Sequence, residues 1–363
     1  MRRLILILLV LALLALPAAA MDVTQEQAEQ FGLDELERGV PDSAKEWMGE
    51  LSPDEAVDFP EAVGSIFESA LLESGPIWRT AARLMLRVLL IVVLCQMTMT
   101  LTEEQGNRAV ALAGALAITA CCGSDFSALM GLGREALDEI SSFSNLLMPV
   151  MAAALAASGG AVSASGLYTV TALFSNFLIR VCNTVFLPML YAFLALAMVD
   201  AALRQDRLKG LQSLLGWGIS TGLKAMMYIY TGFMALTGIL SGSADAATLK
   251  AAKLTLSSVI PVVGGIISDA AETVLSSAGL LKSTIGTFGM LAVLGAFVTP
   301  FLRIGISYLS FKLTAALSAV LGSVHGRLLE GFTSAMGYLL AMTGSATLMS
   351  LLACCCFLKV VQP

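Results

Sequence analysis

The chain has 363 residues, 57% of them hydrophobic and 13% charged, with a mean hydropathy of +0.83 and a net charge of −6. Soluble domains are nearer half apolar and a quarter charged, so this composition excludes an ordinary soluble domain and points to a polytopic membrane protein. The charge is uneven: residues 21–75 carry fifteen acidic and two basic side chains, net −13, whereas 76–363 carry net +5, a balance that argues against a nucleic-acid partner.

Residues 1–20 read as a signal peptide. Arg2 and Arg3 form the basic start, an apolar core follows, and Ala18, Ala19 and Ala20 supply small residues for cleavage. The next segment, 21–75, would then lie outside the cytoplasm. Three capping boxes predict short helices in it: Thr24 with Gln27, Ser43 with Glu46, and Ser52 with Glu55. Val63, Ile66, Phe67, Ala70 and Leu71 form a one-sided apolar stripe. So few large apolar residues build little core, so the segment either docks on a partner or the membrane body, or remains a solvated acidic linker.

Residues 76–145 are expected to hold a first pair of spans, about 83–101 and 108–122. They are followed by an amphipathic helix, 124–144, lying in the membrane interface. Arg79, Arg83 and Arg87 share one face at the start of the first span, placed either to reach lipid phosphates or to meet an anionic partner. From 146 to 363 the chain reads as a permease-like core with broken or re-entrant helices. Pro149 interrupts the Ala-, Gly- and Ser-rich run 146–166, and the stretch 168–199 is too long for one span, so a division is expected near Asn183. Residues 204–210 form a basic loop expected on the cytoplasmic side.

The stretch 258–312 is apolar yet punctuated by Pro261, Gly264, Gly265 and Pro300, and it carries Asp269, Glu272, Lys282, Arg303 and Lys312. Broken backbone and ionisable groups at membrane depth need protein or a water-filled cavity around them. With Arg180 and Lys224, these residues are the candidates for a polar path or for internal ion pairs; Asp269 and Glu272 suit either a proton or cation relay or a pair at a water boundary. An internal duplication, 146–240 against 258–358, is suggested by three similarities. Asn176 to Arg180 resembles Pro300 to Arg303, 209–217 resembles 330–338, and Met148 to Val150 resembles Ile260 to Val262.

No enzymatic chemistry is expected. The G-x-S-x-G match at 218–222 lies in a membrane run, and the one histidine, His325, is far along the chain. There is no phosphate loop, no H-E-x-x-H, and no CxxC among the seven cysteines, which read as small buried hydrophobes. No catalytic residue, metal or cofactor is assigned.

The order of features, with ERGVPDSAKEWM at 37–48, LSPDEAVDF at 51–59 and IPVVGGIISDAAETVLSSAGLLKSTIGTFG at 260–289, resembles the stage III sporulation protein AE family of endospore-forming bacteria. The resemblance implies an all-α, multi-pass subunit of the channel-like apparatus joining mother cell and forespore, needed for late forespore development. Its partners would be the other stage III channel proteins, membrane lipids and further copies of itself. It implies either a conduit for small molecules or a non-conducting scaffold that anchors the other subunits. The implied location is the mother-cell membrane around the forespore, with residues 21–75 extracytoplasmic.

Overall fold

The computed structural model of the chain describes residues 33–49, 58–155, 161–203, 208–236 and 284–360. The expected signal peptide, the capping boxes at Thr24 and Ser52, and Pro261, Gly264, Gly265, Asp269, Glu272 and Lys282 lie outside the described residues.

The described chain is all helix: α1 (Leu33–Arg38), α2 (Asp42–Met48), α3 (Phe59–Glu73), α4 (Gly75–Leu101), α5 (Glu104–Leu155), α6 (Ala161–Val181), α7 (Leu187–Leu203), α8 (Lys209–Leu236), α9 (Thr284–Val320) and α10 (Gly326–Val360). Five stretches among the described residues are long and apolar enough to cross a membrane, on α4, α5, the run through α6 and α7, α9 and α10. This is the all-α polytopic bundle that the hydropathy predicts.

α10 is its centre. From 339 to 357 every residue but Leu348 is buried. Phe332 packs edge-on to Phe126 of α5 at 5.9 Å and stacks on Phe311 of α9 at 5.4 Å, tying three helices together. α9 packs alongside, and it ends at a glycine cap. Gly322 adopts φ 67°, its N–H donates to the Ala319 carbonyl, and the Ser323 N–H donates to the Ser318 carbonyl at 3.0 Å. The Gln96 side chain of α4 donates to the Leu321 and Gly322 carbonyls, both at 3.1 Å, sealing groups a helix end leaves open. Across the same turn His325, which is buried, sets Nε2 3.0 Å from the Ala111 carbonyl of α5.

Several expectations are corrected. Pro149 and Pro300 do not break their helices: α5 and α9 run through them. A proline deletes one helical hydrogen bond, but packing on either side can hold the axis together; Leu147, Met148 and Met151 are buried around Pro149, and Ala296, Val298 and Leu302 around Pro300. The chain does not divide near Asn183 either. A five-residue π-helical turn, Cys182–Phe186, carries α6 into α7 without a loop. The expected interfacial helix 124–144 is the continuation of the second span. Its stripe of Phe126, Met130, Leu137 and Ile140 is buried against the bundle rather than laid on lipid, because α9 and α10 supply the apolar surface it needs. Ser43 does not cap its helix; it lies inside α2, which follows Pro41, and its hydroxyl goes elsewhere.

α5, with 52 residues, is about 78 Å long, against a hydrocarbon layer of about 30 Å. Its exposed face changes character along its length. The first half shows Leu112 and Leu116 beside Leu86, Leu90, Leu94 and Met97 of α4. The second half shows Arg134, Glu135, Asp138, Ser142 and Asn145. The apolar belt continues around the same end of the bundle through Tyr191 and Val199 of α7 and Leu309, Leu313 and Val320 of α9.

Candidate functional site

The four described cations of the expected path are all exposed: Arg180 on α6, Lys224 on α8, and Arg303 and Lys312 on α9. They lie on the outer surface of one copy, around a centre filled by α10. Lys312 sits over the Tyr308 ring, 5.6 Å from its centroid. Arg303 lines a cavity of about 290 Å³ where α4 begins, together with Thr80, Asp125 and Ser307. The acid there, Asp125, comes from α5 and was not singled out by the sequence; only the fold brings it to the level of Arg303.

Arg180 borders a second polar set. Three residues after it, at the π-helical turn, Asn183 donates from Nδ2 to Asp138 Oδ1 at 2.7 Å. One turn before it, Asn176 and Asn145 exchange amide hydrogen bonds of 3.1 and 3.3 Å. Asn183 Oδ1 is buried and has no hydrogen-bond partner among the described residues. A π-helical turn widens the helix by one residue and recurs at functional positions. The sequence signal was the asparagine pair inside an otherwise apolar run, but its α5 partners were not legible.

The third set joins the acidic segment to the bundle. Leu36, Val40, Ala44 and Met48 make one apolar side of α1 and α2, all buried. Ala44 sits so close to Gly295 of α9 that a Cβ at 295 would lie 3.0 Å from Ala44 Cα and 3.2 Å from its carbonyl oxygen. Trp47 Nε1 donates to Thr299 Oγ1 at 3.0 Å, and the Ser43 hydroxyl donates to Glu139 Oε2 at 2.5 Å. Glu35, Glu37, Asp42 and Glu46 point away from the bundle. The described part of the acidic segment is thus docked on the membrane body, one of the two alternatives its sequence left open, with its acids outward.

Two of the suspected repeat segments are neighbours. Residues 209–217 open α8 and 330–338 lie near the start of α10. A Cβ on Gly216 would fall 2.4 Å from Tyr338 Oη, and Tyr338 meets Phe193 edge-on at 5.4 Å. At 218–222 the serine, Ser220, donates to the Trp217 carbonyl of its own helix, while His325 is engaged at the α9–α10 turn. Serine and histidine do not form a catalytic pair. The seven cysteines are free thiols, five of them buried.

A family model for stage III sporulation protein AE matches residues 43–360. The chain belongs to the stage III sporulation protein AE family. The match begins in α2 and runs through α10, so it takes in the docked acidic helix as well as the bundle. Stage III sporulation protein AE of Bacillus subtilis (strain 168) is 29% identical over 199 residues, 55% of this chain and 50% of that protein. The aligned stretch thus spans about half the length of the curated relative. No solved structure matches the chain.

Proposed function

We propose that this protein is an integral membrane subunit of the stage III sporulation apparatus between mother cell and forespore, and that it serves there as a packed platform for the other subunits. The observation that carries platform over conduit is the filled centre. From 339 to 357 α10 is buried at every residue but Leu348, and Arg180, Lys224, Arg303 and Lys312 lie outside it. The docked α1–α2 unit, with its acids outward, would face the space between the two membranes and offer a rigid, charged surface to partners. Membership of a stage III sporulation family supports the assembly context.

A second reading has its own support. Exposed cations on spanning helices are costly against lipid, and they suit a polar lumen formed between several copies. Replacing Arg180 and Arg303 together by glutamine in the native spore-former separates the two. The platform reading expects normal membrane levels, weakened co-purification of the other stage III proteins, and fewer heat-resistant spores. The lumen reading expects spores to fall while co-purification holds. Full spore yield with full co-purification would sink both as roles for these arginines.

A further inference from the structure

At the end of the bundle away from α1–α3, a cleft opens between α7, α8 and α10. It has two adjoining lobes, about 290 and 180 Å³, which share Asp200, Arg327 and Glu330; Ser323 lines the first, and Lys209 and Gln212 line the second. Asp200 decides what the cleft can be. It ends an apolar run on α7, only 7% of its surface is exposed, and its Oδ1 is buried without a hydrogen-bond partner among the described residues. Buried carboxylate oxygens nearly always accept a hydrogen bond, because losing water without replacing it is costly. Asp200 lines both lobes, a space large enough to hold a donor beside its carboxylate.

The charges around that space say what kind of donor fits. Asp200 and Glu330 are acidic, Lys209 and Arg327 basic, so the set is neutral as a whole. A lone cation or a lone anion would leave these four described side chains unbalanced. A zwitterion leaves them balanced, its ammonium against the carboxylates and its anion against arginine and lysine, which bind phosphate and carboxylate by charge-assisted hydrogen bonds. Among the described residues there is no cluster of three metal-type ligands, which argues against a divalent ion. The position of the cleft adds a source. It lies at the rim of the apolar belt, directly after Val199 on α7 and after Val320 at the end of α9, where lipid headgroups meet a spanning protein.

We infer that this cleft binds a zwitterion with a primary ammonium, supplied by the headgroup of an ethanolamine phospholipid. A primary ammonium brings three N–H donors, as a lysine does, and can satisfy Asp200; the quaternary ammonium of choline has none. The lipid and a free zwitterion, such as an amino acid, share this chemistry, and the experiment separates them.

The full chain is placed in nanodiscs of phosphatidylcholine, alone or with added phosphatidylethanolamine or phosphatidylglycerol, and its thermal unfolding is followed. Phosphatidylethanolamine is expected to raise the midpoint by about 2–4 °C, a bound-ligand effect, with no equal rise from phosphatidylglycerol. Asp200→Asn should abolish that rise while unfolding in pure phosphatidylcholine at an unchanged or higher midpoint, because it relieves the unpaired carboxylate. Glu330→Gln, at an exposed position, reduces the rise and serves if Asp200→Asn does not fold. O-phosphoethanolamine and glycine added to phosphatidylcholine discs test the free source; a rise with them and none with the lipid would replace the lipid by a small solute. Equal midpoints in all lipids with no response to either solute, or a rise that survives in both variants, would overturn the site.

Discussion

The docking of α2 on α9 makes a quantitative prediction through Gly295. Alanine at this position would place its Cβ 3.0 Å from Ala44 Cα, 3.1 Å from Ala44 Cβ and 3.2 Å from the Ala44 carbonyl oxygen. Ordinary carbon contacts sit near 3.5–4.0 Å, so α2 must shift by several tenths of an ångström, and two of the three obstructing atoms are backbone. Gly305, ten residues along the same helix, has nothing within 4 Å of its ideal Cβ. Both substitutions gain the same helix propensity, about 0.5–1 kcal/mol over glycine, so their difference isolates the contact with α2. Overpacking of this kind costs about 1–3 kcal/mol. Amide hydrogen exchange in α2 should therefore run roughly 5- to 150-fold faster in Gly295→Ala than in Gly305→Ala, at about tenfold per 1.4 kcal/mol. Exchange in the buried stretch of α10 should match between them. Equal protection of α2 in the two variants would refute the claim that this segment is seated on the bundle through Ala44.

The α9–α10 turn should respond as one unit. His325→Ala removes the contact with the Ala111 carbonyl and should lower stability by about 1–3 kcal/mol, as should Gly114→Ala, whose Cβ would lie 2.6 Å from His325 Nε2 and from Cys95 Sγ. Denaturant titration of the double variant should show less than the sum, since both changes act on one side chain; strict additivity would argue against the shared contact. Phe332→Ala at the centre of the aromatic stack should cost about 3–5 kcal/mol, while Leu90→Ala, 61% exposed on the belt, should stay within about 0.5 kcal/mol in detergent. Comparable losses would mean that α10 is not the core. Because α9 runs through Pro300, Pro300→Ala should leave the thermal midpoint unchanged or raise it; a clear drop would show that the bundle is fitted to a proline-specific bend.

The sequence by itself determined the class of this protein. Hydropathy and helix-period patterning are local properties, and they were enough to place α4, to make the molecule all-α and polytopic, and to mark the stripe of 124–144 as amphipathic. The peptide 260–289 and its companions carried the family as well. What the sequence could not determine was which surface each stripe meets. The stripe on α5 reads the same whether it lies on lipid or on α9 and α10, since both are apolar; only the bundle supplies Phe332 and Ser350 opposite Phe126 and Ser144. A proline marks a lost hydrogen bond but not whether neighbouring packing holds the helix through it, as it does at Pro149 and Pro300. Charge is the clearest case. Arg180, Lys224, Arg303 and Lys312 are conspicuous along the chain because they interrupt apolar runs, yet burial is a property of the assembled helices, and it leaves all four outside. Asp200 gave no motif, and its isolation arises only where α7, α8 and α10 come together around it.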